Sequence, residues 1–166
     1  MLTLISALYL GACVLLWRPL PVIMSPNVRA LALIGGATLL FPGLLLILWA
    51  RATLGCMYAV SSSMGVELFK GHRLVTDGPY AHVRHPMYAG LIIAALGGIL
   101  LYRNWTMLFL LVTFLGVTLR ARREERMLSA EFGEEWRAYC RAVRGWFPRL
   151  RPYRQASNNG GCPDAQ

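Results

Sequence analysis

The stretch GPYAHVRHPMYAGL, residues 78–91, decides the fold. Arg84, His85 and Pro86 stand directly before an apolar run, residues 86–102, that carries no charged side chain. Proline is tolerated in the first turn of a helix, so the sequence predicts a helix that begins at Pro86. An imidazole, a guanidinium and the Tyr88 phenol would then sit where the chain enters an apolar environment. Such groups are costly near hydrocarbon unless they have partners. Either they anchor the helix at an interface, or they hold a polar ligand there.

Working outward, three more segments lack charge: residues 1–17, 30–50 and 104–119. At ~1.5 Å per residue, helices of this length cross most or all of a ~30 Å hydrocarbon core. The 166 residues are 56% hydrophobic, above the roughly 45–50% of ordinary soluble domains. The mean hydropathy is +0.46. These features predict an all-α integral membrane helical bundle of about four transmembrane helices, with a cytoplasmic layer and a C-terminal helix. The first segment has no basic leader and no small-residue cleavage pattern, so it is expected to remain as a helix. Residues 1–152 form one expected domain, with a motif-bearing core at 51–152. Residues 153–166, polar and glycine-rich, form an expected disordered tail.

The formal charge of +9 is unevenly placed. Arg18, Arg29 and Arg103 occupy short connections, whereas Arg51, Lys70, Arg73 and Arg84 share the long middle one. Arginines from Arg120 to Arg154 crowd the region after the last apolar run. The positive-inside rule puts the middle connection and both termini in the cytoplasm; a multi-pass protein of a prokaryotic inner membrane is the expected setting. Topology and anionic lipid explain this arginine content, so nucleic acid is not an expected partner. The four cysteines, Cys13, Cys56, Cys140 and Cys162, match no metal-ligand spacing, and no metal is expected.

Pro42-Gly43 predicts a kink in the second apolar segment, and Gly35-Gly36 would permit close helix packing. Residues 51–84 are too polar to span and too apolar for a linker, which fits a layer over the helix ends. Tyr102-Arg103-Asn104 is a turn short enough to make the flanking helices antiparallel neighbours. The returning helix continues into RARREERMLSAEFGEEWRAYCRAV, residues 120–143, with Gly133 as its breaker. Phe132, Trp136 and Tyr139 are expected to pack on the cytoplasmic layer. Trp146, Phe147 and Pro148 are expected to dock the C-terminus on the bilayer, and Arg84 and Lys70 read as interface anchors. His82 receives no role.

Because the two helices form a hairpin, residues 85–88 should meet residues 118–125. Arg120 and Glu124, four apart, share a helix face. The helix start offers N–H groups to a carboxylate. The acidic pair Glu124 and Glu125 could accept an ammonium or a ribose hydroxyl. The tyrosines and Met87 offer an aromatic, soft lining suited to a purine or a sulfonium. A zwitterionic, adenine-bearing, positively charged cofactor fits this mixture, as do many anions and lipid headgroups.

The order GHRLVTDGPYAHVRHPMYAG, a helical hairpin, then RREERMLSAEFGEEWRAYCRAVRGWFPRL resembles the isoprenylcysteine carboxyl methyltransferase family and the related phospholipid N-methyltransferases. The resemblance spans roughly residues 50–152. It implies S-adenosyl-L-methionine as cofactor, covered by the cytoplasmic layer, and a lipophilic or lipid-linked acceptor drawn from the membrane. It also implies that His72, Arg73, Leu74, Val75 and Tyr80 belong to a cofactor-contacting stretch. His85, Pro86, Met87 and Tyr88 would form the main cofactor motif, with Glu124 as a further cofactor ligand. Arg120 would stand beside the acceptor carboxylate. A carboxylate acceptor is ionised at neutral pH and needs no base. An amine acceptor would need one, and Glu125 or His85 are the candidates. The rival readings are an amine or phospholipid N-methyltransferase, an NADPH-dependent membrane reductase using Arg122 and Arg123, and a non-enzymatic headgroup-binding protein.

Overall fold

The computed structural model describes residues 2–55, 74–149 and 151–153. Regular structure among these residues is helical: α1 (Leu2–Leu15), α2 (Pro26–Leu54), a 3-10 turn (Gly78–Ala81), α3 (Pro86–Tyr102) and α4 (Trp105–Ala142). His72, Arg73, Lys70, most of the expected cytoplasmic layer and nearly all of the tail lie outside the described residues.

α2 and α4 are long and apolar enough to cross a bilayer, while α1 and α3 are apolar but shorter. Their 14 and 17 residues reach about 21 and 26 Å, short of a ~30 Å core. Among the described residues, two helices thus meet the spanning length in full and two are apolar but shorter. α2 continues through Pro42 without a break. The kink expected there is not an interruption of the helix.

The chain divides into two compact units, Met1–Leu45 with Gly90–Leu119, and Leu46–Ala89 with Arg120–Gln166. In the first, α1 packs on the start of α4. The Tyr9 and Phe109 rings are 5.4 Å apart, and the buried Thr106 hydroxyl donates to the Cys13 carbonyl at 2.8 Å. α2 meets α3 at glycines. A Cβ on Gly43 would lie 2.6 Å from the Ala94 nitrogen, and one on Gly36 would lie 2.9 Å from the Gly97 carbonyl oxygen. Gly35 faces open space, so only the second member of the Gly35-Gly36 pair serves close packing. The α3–α4 turn places Arg103 at φ 47°, and Asn104 Oδ1 caps α4 by accepting from the Met107 N–H at 3.0 Å. The α1–α2 connection pairs with that turn through Leu20 N to Arg103 O (2.6 Å) and Trp105 N to Arg18 O (3.1 Å).

In the second unit, α4 runs on past its apolar part as expected, and Gly133 (φ 48°, ψ −114°) interrupts its helical geometry. Beyond this point Trp136, Tyr139 and Val143 form a buried core, joined by Leu74, Leu128, Phe132 and Cys140. The chain then returns along residues 80–85. Arg84 N donates to Arg144 O (3.0 Å), His85 N to Gly145 O (3.2 Å), and Arg149 N to His82 O (2.9 Å). His82, without a sequence-derived role, also places Nδ1 2.8 Å from the Arg149 carbonyl.

Candidate active site

His85 stands at the entry to α3, where its carbonyl accepts from the Ala89 N–H at 3.0 Å. Pro86, with no N–H to leave unpaired, follows it and is fully buried. Tyr88 comes within the next turn. Opposite them, Glu124 and Glu125 are consecutive on α4 and therefore point about 100° apart. That divergence gives each carboxylate its own partners. The Tyr88 hydroxyl donates to Glu124 Oε1 at 2.6 Å, and Arg120 Nε donates to the same oxygen at 3.2 Å. His85 Nε2 lies 2.8 Å from Glu125 Oε1, and Arg84 Nη1 reaches that oxygen at 3.1 Å. Among the described residues, both contacts on Glu125 fall on Oε1, and Oε2 can accept from a further donor.

His85 is 7% exposed and contacts two aromatic rings. Tyr88 stacks on it with centroids 5.7 Å apart, and Trp146 tilts against it at 5.6 Å. Trp146 therefore does not join Phe147 on a membrane-docking edge as expected. The backbone bonds from 144 and 145 to residues 84 and 85 turn its ring onto His85, while Phe147 remains 73% exposed. The role expected for Arg84 is also corrected. It is mostly buried, donates from Nη1 to Cys140 Sγ at 2.8 Å as well as to Glu125, and lies 5.8 Å from the Trp136 ring.

Beyond Gly133, burial pushes the Tyr139 phenol up, keeping it a donor to the Tyr80 carbonyl at 2.6 Å. Burial also pushes the Cys140 thiol up, and the adjacent Arg84 guanidinium works against that shift. Arg84, Glu125, Trp136 and Cys140 share a cleft of about 360 Å³ with Arg122, Arg126 and Ser129.

The expected meeting of residues 85–88 with residues 118–125 is thus observed through four side chains, His85, Tyr88, Glu124 and Glu125. Arg120 joins through Glu124. Leu74 packs on the Trp136–Tyr139–Val143 core, and Val75 and Met87 are half-buried. Tyr80 contributes its carbonyl to Tyr139. Sequence reasoning missed Arg84, Trp146 and Cys140 as members of this cluster. The available signals were the Arg immediately before the His-Pro pair and the Gly145-Trp146 pair. A Cβ on Gly145 would sit 3.3 Å from Arg84 Nη2 and 3.8 Å from His85 Cδ2.

Among the described residues the chain is helical and rich in apolar side chains, the marks of a membrane-type helical protein, and comparison with known proteins places it more narrowly. It belongs to the phospholipid methyltransferase family, whose model matches residues 31–135. Among curated proteins it is similar to a protein-S-isoprenylcysteine O-methyltransferase of Schizosaccharomyces pombe, 43% identical over 83 residues, 49% of this chain and 35% of that protein. A probable protein-S-isoprenylcysteine O-methyltransferase of Oryza sativa subsp. indica is 35% identical over 79 residues, 46% of this chain and 41% of the relative. The cobalt-zinc-cadmium resistance protein CzcN of Cupriavidus metallidurans is 33% identical over 90 residues, 53% of this chain and 41% of the relative. The chain thus matches between about a third and two fifths of the length of these relatives. No solved structure matches it.

Proposed function

We propose that the chain transfers a methyl group from S-adenosyl-L-methionine to a carboxylate on a lipophilic acceptor, within a cellular membrane. The observation that carries this reading is the convergence of Tyr88 and Arg120 on one oxygen of Glu124 (2.6 and 3.2 Å), with His85 and Glu125 beside it. The family and the relatives named as isoprenylcysteine O-methyltransferases support it.

The residues present fit the cofactor. Glu125 Oε2 suits a hydroxyl or ammonium donor, and the His85, Tyr88 and Trp146 rings suit a flat, cationic nucleoside. His85, Tyr88 and Glu124 would hold it, with Leu74, Val75, Tyr80, Pro86 and Met87 completing the contact set; His72 and Arg73 belong to the same proposed stretch. Bound there, it supplies a methyl group activated by a sulfonium. The chain's own task is alignment and exclusion of water, which accounts for much of the acceleration in such a displacement. A guanidinium carries five N–H donors, so Arg120 can hold Glu124 and orient an acceptor carboxylate together. No proton need move.

A second reading, an amine acceptor, is favoured by one observation. His85 Nε2 lies 2.8 Å from Glu125 Oε1, a pairing that could take a proton from an ammonium. Labelled S-adenosyl-L-methionine offered with an S-prenylated cysteine or with an aminophospholipid separates the two. Base-labile label in the first product supports the ester reading, and base-stable label in the second supports the amine reading. Label in neither, with no affinity for S-adenosylhomocysteine, rejects both.

A further inference from the structure

The approximately 360 Å³ cleft lies on the face of α4 turned away from Arg120 and Glu124, and of the carboxylates in the candidate site only Glu125 borders it. At about 100° per residue, Arg122, Glu125, Arg126 and Ser129 fall within an arc of about 100°. Arg120 and Glu124 fall on the opposite side of the helix. Arg84, Trp136 and Cys140 form the rest of the cleft wall.

Its charge balance is strongly one-sided. Three guanidiniums, Arg84, Arg122 and Arg126, face one carboxylate, Glu125, which Arg84 and His85 already engage. Arg122 and Arg126 are exposed and make no ion pair with the described residues. Arg84 Nε is buried without a hydrogen-bond partner among the described residues, a condition that ordinarily calls for an explanation. Arg122 and Arg126, four apart, are neighbours on one face, and the Ser129 hydroxyl lies one turn further on. Guanidinium forks with a hydroxyl suit a tetrahedral group with several acceptor oxygens better than a planar carboxylate.

We propose that this cleft is a phosphate site, taking a phosphate monoester or inorganic phosphate on Arg122, Arg126 and Ser129, with Arg84 at its base. Trp136 gives the same cleft an apolar wall. The inference does not depend on the methyl-transfer reading, and its test uses no enzymatic activity.

The full chain in neutral detergent is titrated with radiolabelled inorganic phosphate and with dioctanoyl phosphatidic acid; dioctanoylglycerol serves as the uncharged control. Saturable binding is expected for phosphatidic acid, for phosphate or for both, and none for the glycerolipid. Arg122→Gln with Arg126→Gln should weaken it at least tenfold, as should Ser129→Asp, with helicity and thermal midpoint unchanged. Arg141→Gln with Arg144→Gln removes the same charge outside the cleft and should leave binding intact. Preference for phosphatidic acid assigns the site to a lipid headgroup, and equal affinity assigns it to free phosphate. Absence of saturable binding by either probe, or an equal loss in the Arg141/Arg144 variant, overturns the proposal.

Discussion

Glu124 and Glu125 illustrate how much one residue step on a helix decides. Glu124 is held by a phenol and a guanidinium, and Glu125 by an imidazole and another guanidinium. Tyr88→Phe keeps the ring against His85 and removes only the hydrogen bond to Glu124. A bond to a charged group contributes ~1.5–3 kcal/mol, so S-adenosylhomocysteine affinity should fall ~10-fold to ~150-fold, read by equilibrium binding. Unchanged affinity would separate Glu124 from cofactor handling. Arg84→Lys tests the other carboxylate. A lysine offers one compact charge and cannot reach Glu125 and Cys140 with a planar fork. Thermal unfolding should show a loss of ~1–2 kcal/mol, and a midpoint equal to that of the unaltered chain would contradict the bridging role.

At the scale of helices, the special positions are turns and caps. Gly133 has φ 48° and ψ −114°, a combination an L side chain adopts only with strain. Gly133→Ala should cost ~1–3 kcal/mol, with the loss visible in the thermal midpoint. Asn104→Ala removes the cap of α4 and should cost ~1 kcal/mol; no change would mean that the Oδ1 contact is incidental. The local features here were legible in the sequence. Pro86 marks a helix start, Tyr102-Arg103-Asn104 a turn, Gly133 a break and the 120/124 spacing a shared face. What was not legible depends on contacts between distant residues. Trp146 read as a membrane anchor because nothing in its neighbourhood reveals that residues 144 and 145 bond to residues 84 and 85. Arg84 read as an interface cation for the same reason, since its thiol partner lies 56 positions away. Gly35 and Gly36 were indistinguishable until helix phase chose one of them. Absence of charge measures apolar character, whereas spanning also needs length, and among the described residues α2 and α4 meet both criteria.

For the molecule as a whole, the deciding question is the solvent around its helices. α2 exposes Leu31, Ile34, Phe41, Leu45 and Leu48, with Leu45 64% exposed, and α1 exposes Leu4, Leu8, Leu10 and Val14. So many large apolar side chains facing outward would be a severe aggregation liability in water and need no partner in lipid. The charged side chains instead concentrate after Leu119. The chain should therefore remain in the membrane fraction through high salt and alkaline carbonate and leave it only with detergent. A single charge tests the assignment more sharply. Leu45→Arg places a guanidinium inside the apolar part of α2, where insertion scales give a cost of up to about +2.5 to +3.5 kcal/mol, the value at a helix centre. The membrane-inserted fraction of that variant should fall severalfold. Arg123→Lys or Glu131→Gln, at exposed positions outside the apolar segments, should leave it unchanged. If Leu45→Arg inserted as well as the parent chain, the exposed face of α2 would be covered by protein rather than lipid, and the membrane reading of this helix would have to be abandoned.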